Sequence, residues 1–235
     1  MVREAGYEGV ELSWSAIERA FADVEDLTGK VRSLVDAHGL VLSGLVIADM
    51  DAVCQEELPG VSATVSQQME AAKRLGVSTV IMGGGDRQQQ SLELLVDGLR
   101  ILLAAGDELE LDVALCNRER SQIEQIEDLR SLVYTLRAPR LRVVNDAGSF
   151  HIASVNPCDV IREFVARMSV VRIADGRGRR LVRLGQGEIN VPAILDELQY
   201  RGYQGWVTVG PNVPVGDDAV SYVAESIRYL RDHIA

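Results

Sequence analysis

Short apolar runs alternate with longer amphipathic segments from one end of the chain to the other. The runs Gly9–Ser13, Leu40–Ile47, Ser78–Met82, Leu111–Cys116, Leu141–Asp146, Val170–Ala174 and Trp206–Val209 are rich in Val, Ile and Leu and lack strict apolar–polar alternation. Strands covered on both faces carry that pattern, so it predicts a parallel sheet. The intervening patterns predict helices over Val24–His38, Val61–Leu75, Ser91–Asp107, Ile123–Leu136, Pro157–Arg167, Val191–Arg201 and Asp217–His233. In the last of these, Val220, Val223, Ile227 and Leu230 mark one face at helical spacing.

Three predicted helices end in a glycine that leads into a strand. His38-Gly39, Leu75-Gly76 and Arg201-Gly202 each fit a left-handed C-cap. The repeat of about 30 residues is the size of one βα unit. Seven such units without an antiparallel interlude leave a barrel or an open doubly wound sheet. No GxGxxG follows the first strand, which argues against the dinucleotide-binding version of the open sheet. Met82-Gly83-Gly84-Gly85 lacks the Lys-Ser/Thr of a P-loop and reads as a tight turn. The opening residues Met1–Tyr7 read as the tail of a helix, with the strand that would precede it missing.

Length and composition narrow the class. At 235 residues the chain is close to the roughly 250 of one (β/α)₈ barrel, and a single domain over 1–235 is expected. A net charge of −11 with dispersed acids argues against nucleic acid as a partner, because phosphate neutralisation needs clustered Lys and Arg. The one basic cluster, Arg177, Arg179 and Arg180, has the size to hold a small anion. Three scattered cysteines, Cys54, Cys116 and Cys158, form no disulfide framework or CxxC site, so a cytoplasmic setting is expected. No apolar run approaches the length of a membrane span.

Several phrases, taken in order, resemble the xylose-isomerase-like family. Ala5-Gly6-Tyr7-Glu8-Gly9-Val10-Glu11-Leu12 looks like its passage from helix 1 into strand 2. His38-Gly39-Leu40, Asn145-Asp146-Ala147-Gly148 and Arg172-Ile173-Ala174-Asp175 fall at its strands 3, 6 and 7. Gly185-Gln186-Gly187-Glu188-Ile189-Asn190 is similar to its G-x-G-x-I-D segment, and Gly202-Tyr203-Gln204-Gly205-Trp206 to its closing G-Y-x-G-W. That family includes sugar isomerases, ketose 3-epimerases, inosose dehydratase-like enzymes and endonuclease-IV-type enzymes. The resemblance implies a parallel (β/α) barrel of the TIM type, here with seven strands instead of eight.

It also implies a divalent cation at the C-terminal mouth, held by a Glu after strand 5, an Asp after strand 6, a His on strand 7 and a Glu after strand 8. Such a cation polarises a carbonyl or hydroxyl, and the two Glu residues can move a proton beside it. Here Leu115-Cys116-Asn117 replaces the first Glu, and Gly210 replaces the last. Asp146 remains, Ser149 replaces a nearby His, and Arg172 stands in place of the strand-7 His. A permanent cation at Arg172 would repel a metal. No metal and no cofactor are therefore expected, and Asp146 is expected to pair with Arg172 where the ion would lie.

The first functional reading is a barrel that binds a small polar molecule, a sugar or sugar phosphate, without metal-dependent catalysis. Glu11, Trp14, Arg172, Arg177 and Arg179 are its candidate binding residues. A second is an active sugar isomerase or epimerase with a rearranged acid/base set drawn from Asp146, His151 and Asp175, His151 being suited to proton exchange near neutrality. A third is a non-catalytic structural or regulatory subunit. A two-fold homodimer is expected, since symmetric dimers are the commonest assemblies.

Overall fold

The computed structural model describes residues 2–210, 213 and 216–234. These fall into two compact units, residues 8–142 and residues 143–235 with 1–7. A short helix, α1 (Val2–Ala5), opens the chain, as its first residues predict; Met1 lies outside the described residues.

In the unit 8–142, four strands run parallel in chain order: β1 (Gly9–Ser13), β2 (Val41–Val46), β3 (Thr79–Met82) and β4 (Asp112–Cys116). Their pairing is in regular register, Val80 opposite Val113, apart from a bulge between Val10 and Glu11 on β1. Five helices accompany them: α2 (Trp14–Ala20), α3 (Leu27–Ala37), α4 (Leu58–Leu75), α5 (Leu92–Leu109) and α6 (Ile126–Leu136). Helix α4 buries Val65, Met69 and Ala72, and α5 buries Leu95, Leu99 and Leu102. Both triplets follow helical spacing, so each helix lays one stripe on the core. Ser91 caps α5 by accepting from the Leu94 amide, and Asp26 caps α3 through Gly29. Helix α4 ends at Gly76 with φ 74°, a conformation that carries no steric penalty only in glycine.

The second unit holds β5 (Leu141–Asp146), whose first two residues belong to the other unit, then α7 (Ala147–Ile152), α8 (Pro157–Phe164) and β6 (Met168–Ile173). A hairpin of β7 (Asp175–Arg177) and β8 (Arg180–Val182) follows, then α9 (Val191–Tyr200), β9 (Trp206–Val209) and α10 (Ala219–His233). Strands β5, β6 and β9 are parallel, with Asp146 opposite Arg172 and Arg172 opposite Thr208. The Tyr7 hydroxyl donates to the Val223 carbonyl at 3.0 Å, and Arg231 donates to the Gly6 carbonyl at 2.8 Å. These bonds fasten the opening residues to α10.

Within each unit the main strands thus run parallel and in chain order, as the hydrophobic runs predict. Several elements depart from the expectation. The antiparallel β7–β8 hairpin breaks the uniform βα alternation, and its Arg-Gly-Arg-Arg sequence carries no strand signal. Helices α2 and α7 begin directly at the ends of β1 and β5, too short for their periodicity to register. The helix from Pro157 also stops at Phe164 and closes with a 3₁₀ turn over Val165–Arg167. Among the described residues no helix is long and apolar enough to cross a membrane.

Candidate functional site

Strands β5 and β6 bring Asp146 and Arg172 together at their C-terminal ends. The two residues are register partners, with Arg172 Nη1 and Asp146 Oδ2 3.6 Å apart and the side chains only 7% (Arg172) and 14% (Asp146) exposed. Asp146 also caps α7, its Oδ1 accepting from the Ser149 amide at 3.0 Å. The carboxylate therefore faces a fixed guanidinium on one side and a helix N-terminus on the other. Both neighbours supply positive charge or N–H donors, as a carboxylate taken out of water requires.

A divalent cation needs the opposite environment, with several oxygen or nitrogen donors aimed at one point. Among the described residues no group of three or more His, Cys, Asp or Glu side chains converges in that way. Ser149, in the place of a histidine, contributes its backbone amide to Asp146. Cys116 is buried and its thiol lies 3.7 Å from the Asn117 carbonyl oxygen. The partners shown around Asp146 are a guanidinium and a backbone amide.

Asp175 is a scaffold residue. It is 1% exposed, and its two oxygens accept from four backbone amides: Gly176 at 2.8 Å, Gly185 at 2.9 Å, Gly187 at 2.8 Å and Ile189 at 3.1 Å. This gives the Gly185–Ile189 motif a physical reason. A Cβ on Gly187 would lie 2.0 Å from Asp175 Oδ1 and 2.5 Å from the Gly176 carbonyl, so only glycine fits. Both Asp175 oxygens are thus engaged by backbone amides.

His151, on α7, has its Nε2 3.6 Å from Glu188 Oε2. Glu188 also accepts from the Gly178 amide in the β7–β8 turn at 3.1 Å. Both side chains line a cavity of about 500 Å³ with Asn156, Cys158, Arg162 and Asn190. Burial pushes the Cys158 thiol above its ordinary pKa, which keeps it protonated and a poor metal ligand near neutrality. Arg177 donates to the Gln186 carbonyl at 2.8 Å, and Arg179 is exposed in the hairpin turn.

The remaining two predicted residues belong to the other unit. Glu11 is half-buried on β1, opposite Gly44. Trp14 opens α2 and lines a cavity of about 350 Å³ against α4. The same unit holds a cluster that pattern reading missed. Asp49 Oδ1 accepts from the Gly83 amide at 2.6 Å, and Oδ2 pairs with Arg118 Nη2 at 2.6 Å. Arg118 also donates to the Gly84 carbonyl at 3.1 Å. The Gly83–Gly85 run marked this turn, but its acidic and basic partners lie 34 residues away on each side. Glu188 was likewise hidden inside a glycine motif.

A family profile described as xylose isomerase-like TIM barrel matches residues 1–233. No curated protein matches the sequence significantly. Solved structures resemble it throughout. The IOLI protein with a bound zinc atom has a TM-score of 0.84 at 18% identity, covering 98% of this chain and 89% of that one. The apo form of 3-keto-D-glucoside 4-epimerase YcjR from E. coli has 0.80 at 18%, covering 98% and 91%. The probable 3-DHS dehydratase AsbF of Bacillus anthracis has 0.82 at 14%, covering 98% and 92%. At such identities the likeness establishes the fold, an α/β TIM-barrel type.

Proposed function

Because the chain belongs to the xylose isomerase-like TIM-barrel family, we propose that it binds a sugar or sugar-like polyol at the C-terminal ends of β5 and β6, with Arg172 in the role of the family's metal ion. The observation that carries this reading is the Asp146–Arg172 pair. A guanidinium is a permanent cation with five N–H donors. It can hold substrate hydroxyl or carbonyl oxygens, though with much weaker polarising power than a divalent ion. Binding is thereby kept while metal-assisted chemistry is lost. Arg177 and Arg179, on the hairpin that follows β6, would take the phosphate of a phosphorylated ligand.

Thermal shift with monosaccharides, polyols and sugar phosphates tests the reading. A ligand that binds only the folded state raises stability by RT ln(1 + [L]/Kd). The expected result is stabilisation by at least one of these compounds, equal with and without EDTA. Stabilisation that appears only when Mn²⁺, Mg²⁺ or Zn²⁺ is supplied would overturn it.

One observation favours a second reading, retained isomerase or epimerase activity. The His151–Glu188 pair on the wall of the larger cavity is an imidazole oriented by a carboxylate, an arrangement suited to moving a proton. His151 would remove the proton on the carbon beside a substrate carbonyl and return it to the neighbouring carbon or the opposite face. Incubation with ketoses in D₂O checks this: deuterium incorporation that His151→Asn abolishes supports it, and no incorporation rejects it.

A further inference from the structure

We propose that the groove between α2 and α4 is a binding site for an uncharged monosaccharide, an inference independent of the strand-end reading. The groove lies within the unit 8–142 and has a volume of about 350 Å³, inside the range of small-ligand pockets and roomy enough for one sugar ring. It exists because of a size mismatch on α4. Ala71 is buried at its floor, while the longer Gln67, Gln68, Glu70 and Arg74 rise around it. Helix α2 buries only Ile17, so it does not fill the hollow, and it contributes Trp14 and Glu18 to the opposite wall.

Six arginines elsewhere, Arg32, Arg87, Arg100, Arg118, Arg162 and Arg183, pair with carboxylates. In the groove, the side chains of Trp14, Glu18, Gln67, Glu70 and Arg74 have no protein partner among the described residues. Gln68 is half-engaged in a useful way. Its Oε1 accepts from the Ala48 amide at 2.7 Å, which fixes the amide plane and leaves Nε2 as an oriented donor.

The ligand class follows from the side chains. An indole face packs against the C–H face of a sugar ring, while its N–H remains a donor. Planar amide, carboxylate and guanidinium groups match hydroxyls, each of which donates and accepts. Two carboxylates against one guanidinium make the walls net negative, which disfavours a phosphorylated or acidic sugar. A neutral sugar meets no such repulsion.

The chain contains two tryptophans, Trp14 and Trp206, so a ¹⁵N-labelled sample shows two indole N–H signals, assigned by Trp14→Phe. Titration of the full chain with D-glucose, D-xylose, D-fructose and myo-inositol should move the Trp14 signal saturably for at least one compound, with a Kd in the millimolar range. The Trp206 signal should stay in place. Gln67→Ala and Arg74→Ala should each weaken binding by about fivefold to tenfold, the cost of about one hydrogen bond. Glucose 6-phosphate should bind more weakly than glucose. The proposal is overturned if none of the four sugars moves the Trp14 signal, if the Gln67→Ala/Arg74→Ala double variant responds like the wild type, or if the phosphorylated sugar binds more tightly.

Discussion

Asp146 and Arg172 face each other as register partners across β5 and β6, with Nη1 and Oδ2 3.6 Å apart in a nearly closed environment. Each is costly to bury alone, and together they neutralise one another where relatives are expected to hold a metal. Such a pair is weak evidence of added stability, but breaking it leaves an uncompensated charge.

Arg172→Ala is therefore expected to destabilise the fold by about 1–3 kcal/mol, above the ~0–1 kcal/mol of an exposed pair. The double change Asp146→Asn/Arg172→Met should recover part of that loss, because neither charge is then stranded. Urea denaturation of the two variants measures both effects. Equal losses in the single and double variants would show that the pairing carries no weight.

Asp175→Asn should be more damaging than its small change in shape implies. The new amide brings N–H donors to an atom that now accepts from backbone amides, so a loss of about 2–4 kcal/mol is expected. Gly187→Ala should disturb the same loop, because the added methyl would sit 2.0 Å from Asp175 Oδ1. Hydrogen exchange at the Gly185, Gly187 and Ile189 amides reports the effect locally. Unchanged protection in either variant would contradict this account of the motif.

Most of the scaffold was legible because its signals are local. The boundaries of β1, β5 and β9 match their apolar runs residue for residue, and Gly39, Gly76 and Gly202 have the positive φ expected of C-caps. The site was less legible. Asp146 and Arg172 could be paired in advance because parallel strands of known order set their neighbours. Asp175 resembled a candidate acid from its position, yet the amides of a loop 10 to 14 residues later occupy it. The Asp49–Arg118 contact depends on three loops meeting, which no local pattern encodes. Trp14 was read only as a candidate binding residue; it opens α2 and lines a cavity with residues of α4.

Alkaline pH should loosen the attachment of the opening residues to α10. Burial, reinforced by Tyr222, raises the Tyr7 hydroxyl from 10.0 to about 12, while it donates to the Val223 carbonyl. A group whose folded pKa is raised contributes fully below the unfolded value and loses that contribution as pH climbs to the folded one. Stability is thus expected to hold up to about pH 10 and to fall between there and about 12. Burial also raises Tyr203 and Tyr222, adding to the same slope. Tyr7→Phe should flatten part of it in chemical denaturation across that range, and an unchanged slope would assign the effect to the other tyrosines.

The claim that Arg172 takes the place of the family's metal is tested most directly by isothermal titration of the chelator-treated chain with Mn²⁺, Mg²⁺ and Zn²⁺. The account predicts no stoichiometric binding of any of the three to the wild-type chain. One equivalent bound, and lost in Asp146→Asn, would contradict it and return Asp146 to service as a metal ligand.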